Sequence, residues 1–137
     1  MKPTLRYLRT LKIIPLILLG GCSALEVVNS VSKIYVAEVK QNIEFGANPK
    51  LKYDLYLPNH PNEEFSNTPV IVFFYGGSWN RGDKSEYEFV GRRLASMGYI
   101  TAVPNYRLYP EVQYPDFLVD GAQSIAHLKK ELQKPEY

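Results

Sequence analysis

Five consecutive apolar residues, Val70-Ile71-Val72-Phe73-Phe74, closed shortly afterwards by Gly76-Gly77, limit what this chain can fold into. The run is short for a helix and lacks polar alternation, so it suits a strand covered on both faces, and the glycine pair ends it. A strand of that kind needs helices packed on its sheet. The sequence supplies two. From Lys84 to Met97, Tyr87, Val90, Leu94 and Met97 recur at helical spacing, and Gly98 sits where a C-terminal glycine stop belongs. A second apolar strand spans 99–103. Pro115 then opens a helix carrying Leu118, Ala122, Ile125, Leu128 and Leu132 on one face.

Upstream, residues 41–45 read as a first strand and Gly46-Ala47-Asn48-Pro49 as a turn. Leu51, Tyr53, Leu55 and Leu57 alternate with Lys52, Asp54 and Tyr56, which predicts a half-buried strand, and Pro58 stops it. Two early strands followed by strand–helix alternation predict an α/β fold whose mixed sheet is mostly parallel, with helices flanking it.

The N-terminus has a different character. Residues 1–12 hold Lys2, Arg6, Arg9 and Lys12, residues 13–19 are mostly apolar, and Gly20, Gly21, Ser23 and Ala24 are small. That order predicts an exported chain with a signal peptide over residues 1–21. Its apolar run falls far short of the roughly 20 residues needed to cross a bilayer. Leu19-Gly20-Gly21-Cys22 resembles the lipobox of bacterial lipoproteins. The resemblance implies acylation of Cys22, a membrane anchor and, in a Gram-negative cell, retention at the outer membrane or its periplasmic face. A plain signal peptide cleaved after Ala24 is the alternative. Residues 22–39 read as a tether or short helix, and the folded region as 40–137.

Charge excludes one class of function. Past the four leader bases, the 14 Asp and Glu outnumber the remaining Lys and Arg, and no basic cluster is left as a footprint for nucleic acid. Cys22 is the sole cysteine, so neither a disulfide framework nor a cysteine metal cluster is expected. No cofactor or metal is implied.

The stretch Phe74-Tyr75-Gly76-Gly77-Ser78-Trp79 carries the chemistry. Adjacent glycines let backbone amides face an incoming oxygen without side chains in the way, as an oxyanion hole requires. A glycine pair alone reads equally as a tight turn. Its context is more specific, because Trp79-Asn80-Arg81-Gly82-Asp83, a helix, and Val103-Pro104-Asn105-Tyr106-Arg107-Leu108-Tyr109-Pro110 follow in order. From about Asn42 to Gln133 the chain resembles the α/β-hydrolase fold, in its carboxylesterase-like esterase and lipase branch. The oxyanion loop of that branch reads His-Gly-Gly-x-Trp, and its next strand runs into Tyr-Arg-Leu.

The resemblance implies hydrolysis of a small-molecule carboxylic ester, with the amides of Gly76 and Gly77, helped by Ser78, facing the carbonyl oxygen. Tyr75 replaces the usual His and is given no catalytic proton. Trp79 and Asp83 are expected to pin the loop, and Arg107 to pair with Asp116 or Asp120. His60 and His127 read as ordinary histidines. The family's Ser, in Gly-x-Ser-x-Gly, and then its acid and His, are expected after the last helix, beyond these residues. Residues 1–137 alone are therefore expected to be inactive. Ser78 is a rival nucleophile, and Gly121-Ala122-Gln123-Ser124 has the wrong spacing. The alternative function is a non-catalytic lipoprotein that uses a truncated hydrolase-derived domain for binding.

Overall fold

The computed structural model describes residues 23–59 and 67–137. The expected signal peptide over residues 1–21, Cys22 and His60 lie outside the described residues. Helix α1 spans Ala24–Ser32 and is followed by strands β1, Glu38–Glu44, and β2, Lys52–Leu57. Strand β3 covers Val70–Val72, a 3₁₀ turn covers Lys84–Tyr87, and helix α2 runs from Glu88 to Ser96. Strand β4, Ile100–Pro104, and helix α3, Asp116–Glu131, complete the order. The strands lie side by side as β1-β2-β4-β3. Pairings β1–β2 and β2–β4 are antiparallel and β3–β4 is parallel. The sheet is thus mixed, with flanking helices. Within the described residues its antiparallel share exceeds the expectation, because β1 and β2 enter as a hairpin.

The sheet buries two faces. Tyr53, Leu55 and Leu57 of β2 join Ile100, Ala102 and Leu128 in one cluster, while Tyr56 joins Val103 and Ala95 of α2 in the other. This corrects the half-buried reading of β2, in which Tyr53 through Leu57 are all buried. Alternation identified the two faces correctly, but the second is covered by α2 and does not meet water. The approach is close, since a Cβ on Gly91 would lie 2.3 Å from the Tyr56 ring.

The predicted stripes on the helices are also rotated. Gly91 and Ala95 are the buried residues of α2, while Met97 is exposed. In α3 the buried row is Asp120, Ser124, Leu128 and Glu131, while Leu118 and Ile125 are exposed. Polar residues occupy that row because Asp120 binds Arg107 and the Ser124 hydroxyl bonds the Gly121 carbonyl at 2.7 Å. Strand β3 is shorter than the apolar run and only partly covered. It forms the edge of the described sheet, with Val70 and Phe74 exposed.

The segment expected to be a tether or short helix contains the helix α1, which starts with a capping box between Ser23 and Glu26. It is docked. Asn29 donates to the Ser85 carbonyl at 2.8 Å and accepts from the Phe89 amide at 2.9 Å.

Candidate active site

The glycine loop leaves the sheet where β3 ends. The Phe73 amide makes a final ladder bond to the Ala102 carbonyl at 2.9 Å, and the chain then turns through residues 74–83. Tyr75 points inward. Its ring stacks between Tyr87 and Tyr106, with centroids at 5.5 and 4.9 Å. Gly82, at φ +110°, lies against that ring, where an added Cβ would come within 2.8 Å. The Tyr75 hydroxyl donates to Asn105 Oδ1 at 2.8 Å, and its carbonyl accepts from the Tyr106 hydroxyl at 2.7 Å. Burial, then the neighbouring Tyr106 and Asp83, push the Tyr75 phenol well above the usual tyrosine range. It therefore remains a neutral donor that braces the loop.

The next residues have unusual backbone geometry. Gly77 has φ +146°, and a Cβ there would fall 2.0 Å from the Arg81 carbonyl oxygen. Only glycine fits. Ser78 and Trp79 follow at φ 55° and 61°, a left-handed conformation that is costly for two successive residues bearing side chains. Packing maintains it. The Trp79 indole stacks on Phe117 at 4.6 Å and meets Tyr106 at 5.4 Å, and its carbonyl accepts from the Tyr109 amide at 2.8 Å. Gly76 has open space where a Cβ would sit. Among the described residues, the amides of Gly76, Gly77 and Ser78 donate to no backbone carbonyl. Three donors are thus left on an exposed turn, beside an apolar cleft of about 390 Å³ whose lining includes Phe74, Trp79, Tyr106 and Phe117.

A polar network fixes the far side of the loop. Asn105 Oδ1 also accepts from the Lys84 amide at 2.7 Å, and its Nδ2 donates to Asp83 Oδ2 at 2.9 Å. Asp83 Oδ1 caps the 3₁₀ turn by accepting from the Ser85 amide at 2.8 Å. Burial acts to raise the Asp83 pKa, but the hydrogen bonds from Ser85 and Asn105 prevail and hold it below its ordinary value. A depressed carboxylate stabilises the fold above its unfolded pKa of about 4, and this contribution disappears as pH falls through the folded value. Urea midpoints of wild type should therefore drop more steeply below about pH 4 than those of Asp83→Asn. Parallel curves would remove Asp83 from the acid response.

Arg107 pairs with Asp120 and not Asp116. Its Nη2 lies 2.6 Å from Oδ1, its Nε 2.9 Å from Oδ2, and its own amide reaches Oδ2 at 3.0 Å. The bond ties the segment after β4 to α3, with the carboxylate fully buried. His127 bonds the Tyr53 hydroxyl at 3.1 Å and sits roughly 15 Å along α3 from Phe117. Neither it nor Ser124 reaches the loop.

Sequence reasoning placed Asn105 and Tyr106 in a motif without giving either a role, and it missed the pair Asp54–Lys84. Lys84 Nζ lies 2.7 Å from Asp54 Oδ1, both side chains are buried, and the same oxygen accepts from the Asn42 amide at 2.8 Å. Asn42, at φ 60°, is where the register of β1 shifts against β2, so Asp54 satisfies the amide freed by the bulge. The available signals were Asp54 inside an apolar strand and Asn105 directly after a wholly buried one.

The sheet order, the flanking helices and the loop after β3 define the N-terminal part of an α/β-hydrolase fold. Residues 53–136 match the BD-FAE family, and the chain belongs to that esterase family. It is 34% identical over 89 residues to a probable isoprenylcysteine alpha-carbonyl methylesterase of Oryza sativa subsp. japonica, covering 65% of this chain and 21% of that protein. A solved structure from Silicibacter sp. tm1040 aligns over 81% of this chain and 40% of its own, with a TM-score of 0.66 and 26% identity. Esterase B from Lactobacillus rhamnosis shares the fold, with a TM-score of 0.63 and 22% identity over 76% of this chain and 35% of its own. The chain spans about a fifth of the length of the curated relatives it matches.

Proposed function

We propose that this chain carries the oxyanion-binding part of a serine carboxylic ester hydrolase, and that the nucleophile and its His and acid are not among these residues. The observation that carries the reading is the turn at Gly76-Gly77-Ser78, held in a strained conformation with its amides left without backbone acceptors among the described residues. Family membership supports the reaction class. In this reading a serine Oγ attacks the ester carbonyl while the base takes its proton. The amides stabilise the oxyanion, the alcohol departs with that proton, and water then releases the acid.

The test is the full open reading frame treated with a fluorophosphonate, followed by mapping of the modified residue. Label on a serine in Gly-x-Ser-x-Gly beyond Tyr137, unaffected by Ser78→Ala, is the expected result. Label on Ser78, or none on folded protein, would overturn it.

We further propose that the protein is exported and acylated at Cys22, a reading supported by the order of basic, apolar and small residues before that cysteine. Metabolic labelling with a fatty acid should mark the wild type and leave Cys22→Ala unlabelled. Equal labelling of the two would remove the anchor.

A further inference from the structure

Helix α1 has a wider apolar arc than its neighbours cover. At 100° per residue, Asn29 and Ser32 face α2 and the 3₁₀ turn, Glu26 and Ser30 face water, and Val27, Val28 and Val31 occupy the remaining side. Ile34 and Val36 continue the apolar series just past the helix. These five side chains are between 43% and 71% exposed. Exposed apolar side chains concentrated in one segment mark an interaction surface.

We propose that this face of α1 lies on a lipid bilayer, an inference that builds on the acylated Cys22 reading. Three observations favour lipid over a protein partner. Cys22 immediately precedes Ser23, the N-cap of α1, so acyl chains there would enter the membrane at the start of the apolar row. A helix of nine residues is about 14 Å long, and the whole row therefore stays within reach of that entry point. Lys33 and Arg93 flank the row as bases, alongside the acids Glu26 on the adjoining helix face and Glu38 beyond Val36. Lys33 and Arg93 have no carboxylate partner among the described residues, and Arg93 sits 5.1 Å over the Tyr35 ring beside a shallow groove that Val27 and Val31 also line. Cations beside an apolar strip suit anionic headgroups above hydrocarbon.

The contact also has a geometric effect. Asn29 ties α1 to Ser85 and Phe89, which follow directly on the glycine loop, so a seated α1 fixes the height of that loop above the membrane.

A site-resolved depth measurement tests the proposal on the full chain, produced with its leader. Val31→Trp and Leu118→Trp are each made in a background in which Trp79 and every other tryptophan of the full chain is replaced by Phe, and reconstituted into vesicles of phosphatidylethanolamine and phosphatidylglycerol with brominated acyl chains. Tryptophan at 31 should be quenched roughly threefold or more beyond tryptophan at 118. Val27→Trp serves as a second reporter of the same face. Equal quenching, or stronger quenching at 118, would overturn the proposal. So would an emission at 31 that is blue-shifted without lipid and insensitive to bromine, which would assign the face to a second copy or another protein. The mass of the N-terminal peptide separates the two readings. Quenching at 31 without acylation keeps the docking face and removes the anchor, whereas acylation without quenching does the reverse.

Discussion

Replacing Gly77 with Ala in the full-length protein should cut ester turnover about a hundredfold to a thousandfold, equivalent to about 2.7 to 4 kcal/mol of lost transition-state stabilisation. The cause is steric and local. A methyl group at 77 would sit 2.0 Å from the Arg81 carbonyl, at a φ that side chains rarely adopt, so the turn must rearrange and carry its amides away from the position proposed for the oxyanion. Tyr75 and Trp79 on either side are held by Tyr106, Asn105 and Phe117, which confines the disturbance to the turn. Gly121→Ala provides the control. That position is helical, its added Cβ would make a near-ordinary contact of 3.4 Å with Phe74, and alanine favours helix by up to about 1 kcal/mol. Steady-state kinetics and thermal unfolding of both variants distinguish a damaged oxyanion site from a damaged fold. Unchanged turnover in folded Gly77→Ala would reduce Gly77 to a turn residue.

Asp54→Ala should destabilise the sheet by about 3 to 5 kcal/mol. Truncation takes away the carboxylate bonded to the buried Lys84 ammonium, leaving only the more distant charge of Asp83, and deprives the Asn42 amide of its acceptor. Against a typical stability of about 5 to 15 kcal/mol, such a loss approaches unfolding. The pair itself need contribute little, because two charges withdrawn from water repay their desolvation only in part. Asp54→Leu combined with Lys84→Met should therefore recover most of the stability lost by Asp54→Ala. Urea titrations of the two singles and the double give the coupling directly. A cost below about 1 kcal/mol for Asp54→Ala would mean that water reaches Lys84.

The elements were legible where local chemistry determines them. Gly98, at φ 94°, stops α2 as a glycine after a periodic stretch should, and the loop after β3 announced itself through consecutive glycines. What covers each face was not legible. The alternation in β2 separated Tyr53 from Tyr56 correctly, yet it carried no information that α2 would close over the second side. The same limit rotated the stripe of α3, where Asp120 is buried because Arg107 reaches it across a loop. The bracing role of Asn105 and Tyr106, which were visible only as part of a motif, was hidden for that reason too. Asn105 and Tyr106 act on Tyr75 from some thirty positions away in the chain, and no spacing rule links them.

The strand order has a consequence for synthesis. Strand β2 pairs on one side with β1, its predecessor, and on the other with β4, which leaves the ribosome only after β3, the glycine loop and α2 have been made. Until Pro104 is out, β1 and β2 can form no more than a two-stranded hairpin, a unit of marginal stability in water, and β3 has no neighbour among the described strands. Assembly must then occur in one late step, as β4 inserts between two waiting strands in opposite senses. Closing such non-local pairings is slow. Among the described strands, the nascent chain thus carries β3 unpaired through the whole translation of α2, an interval in which a holding chaperone would protect it.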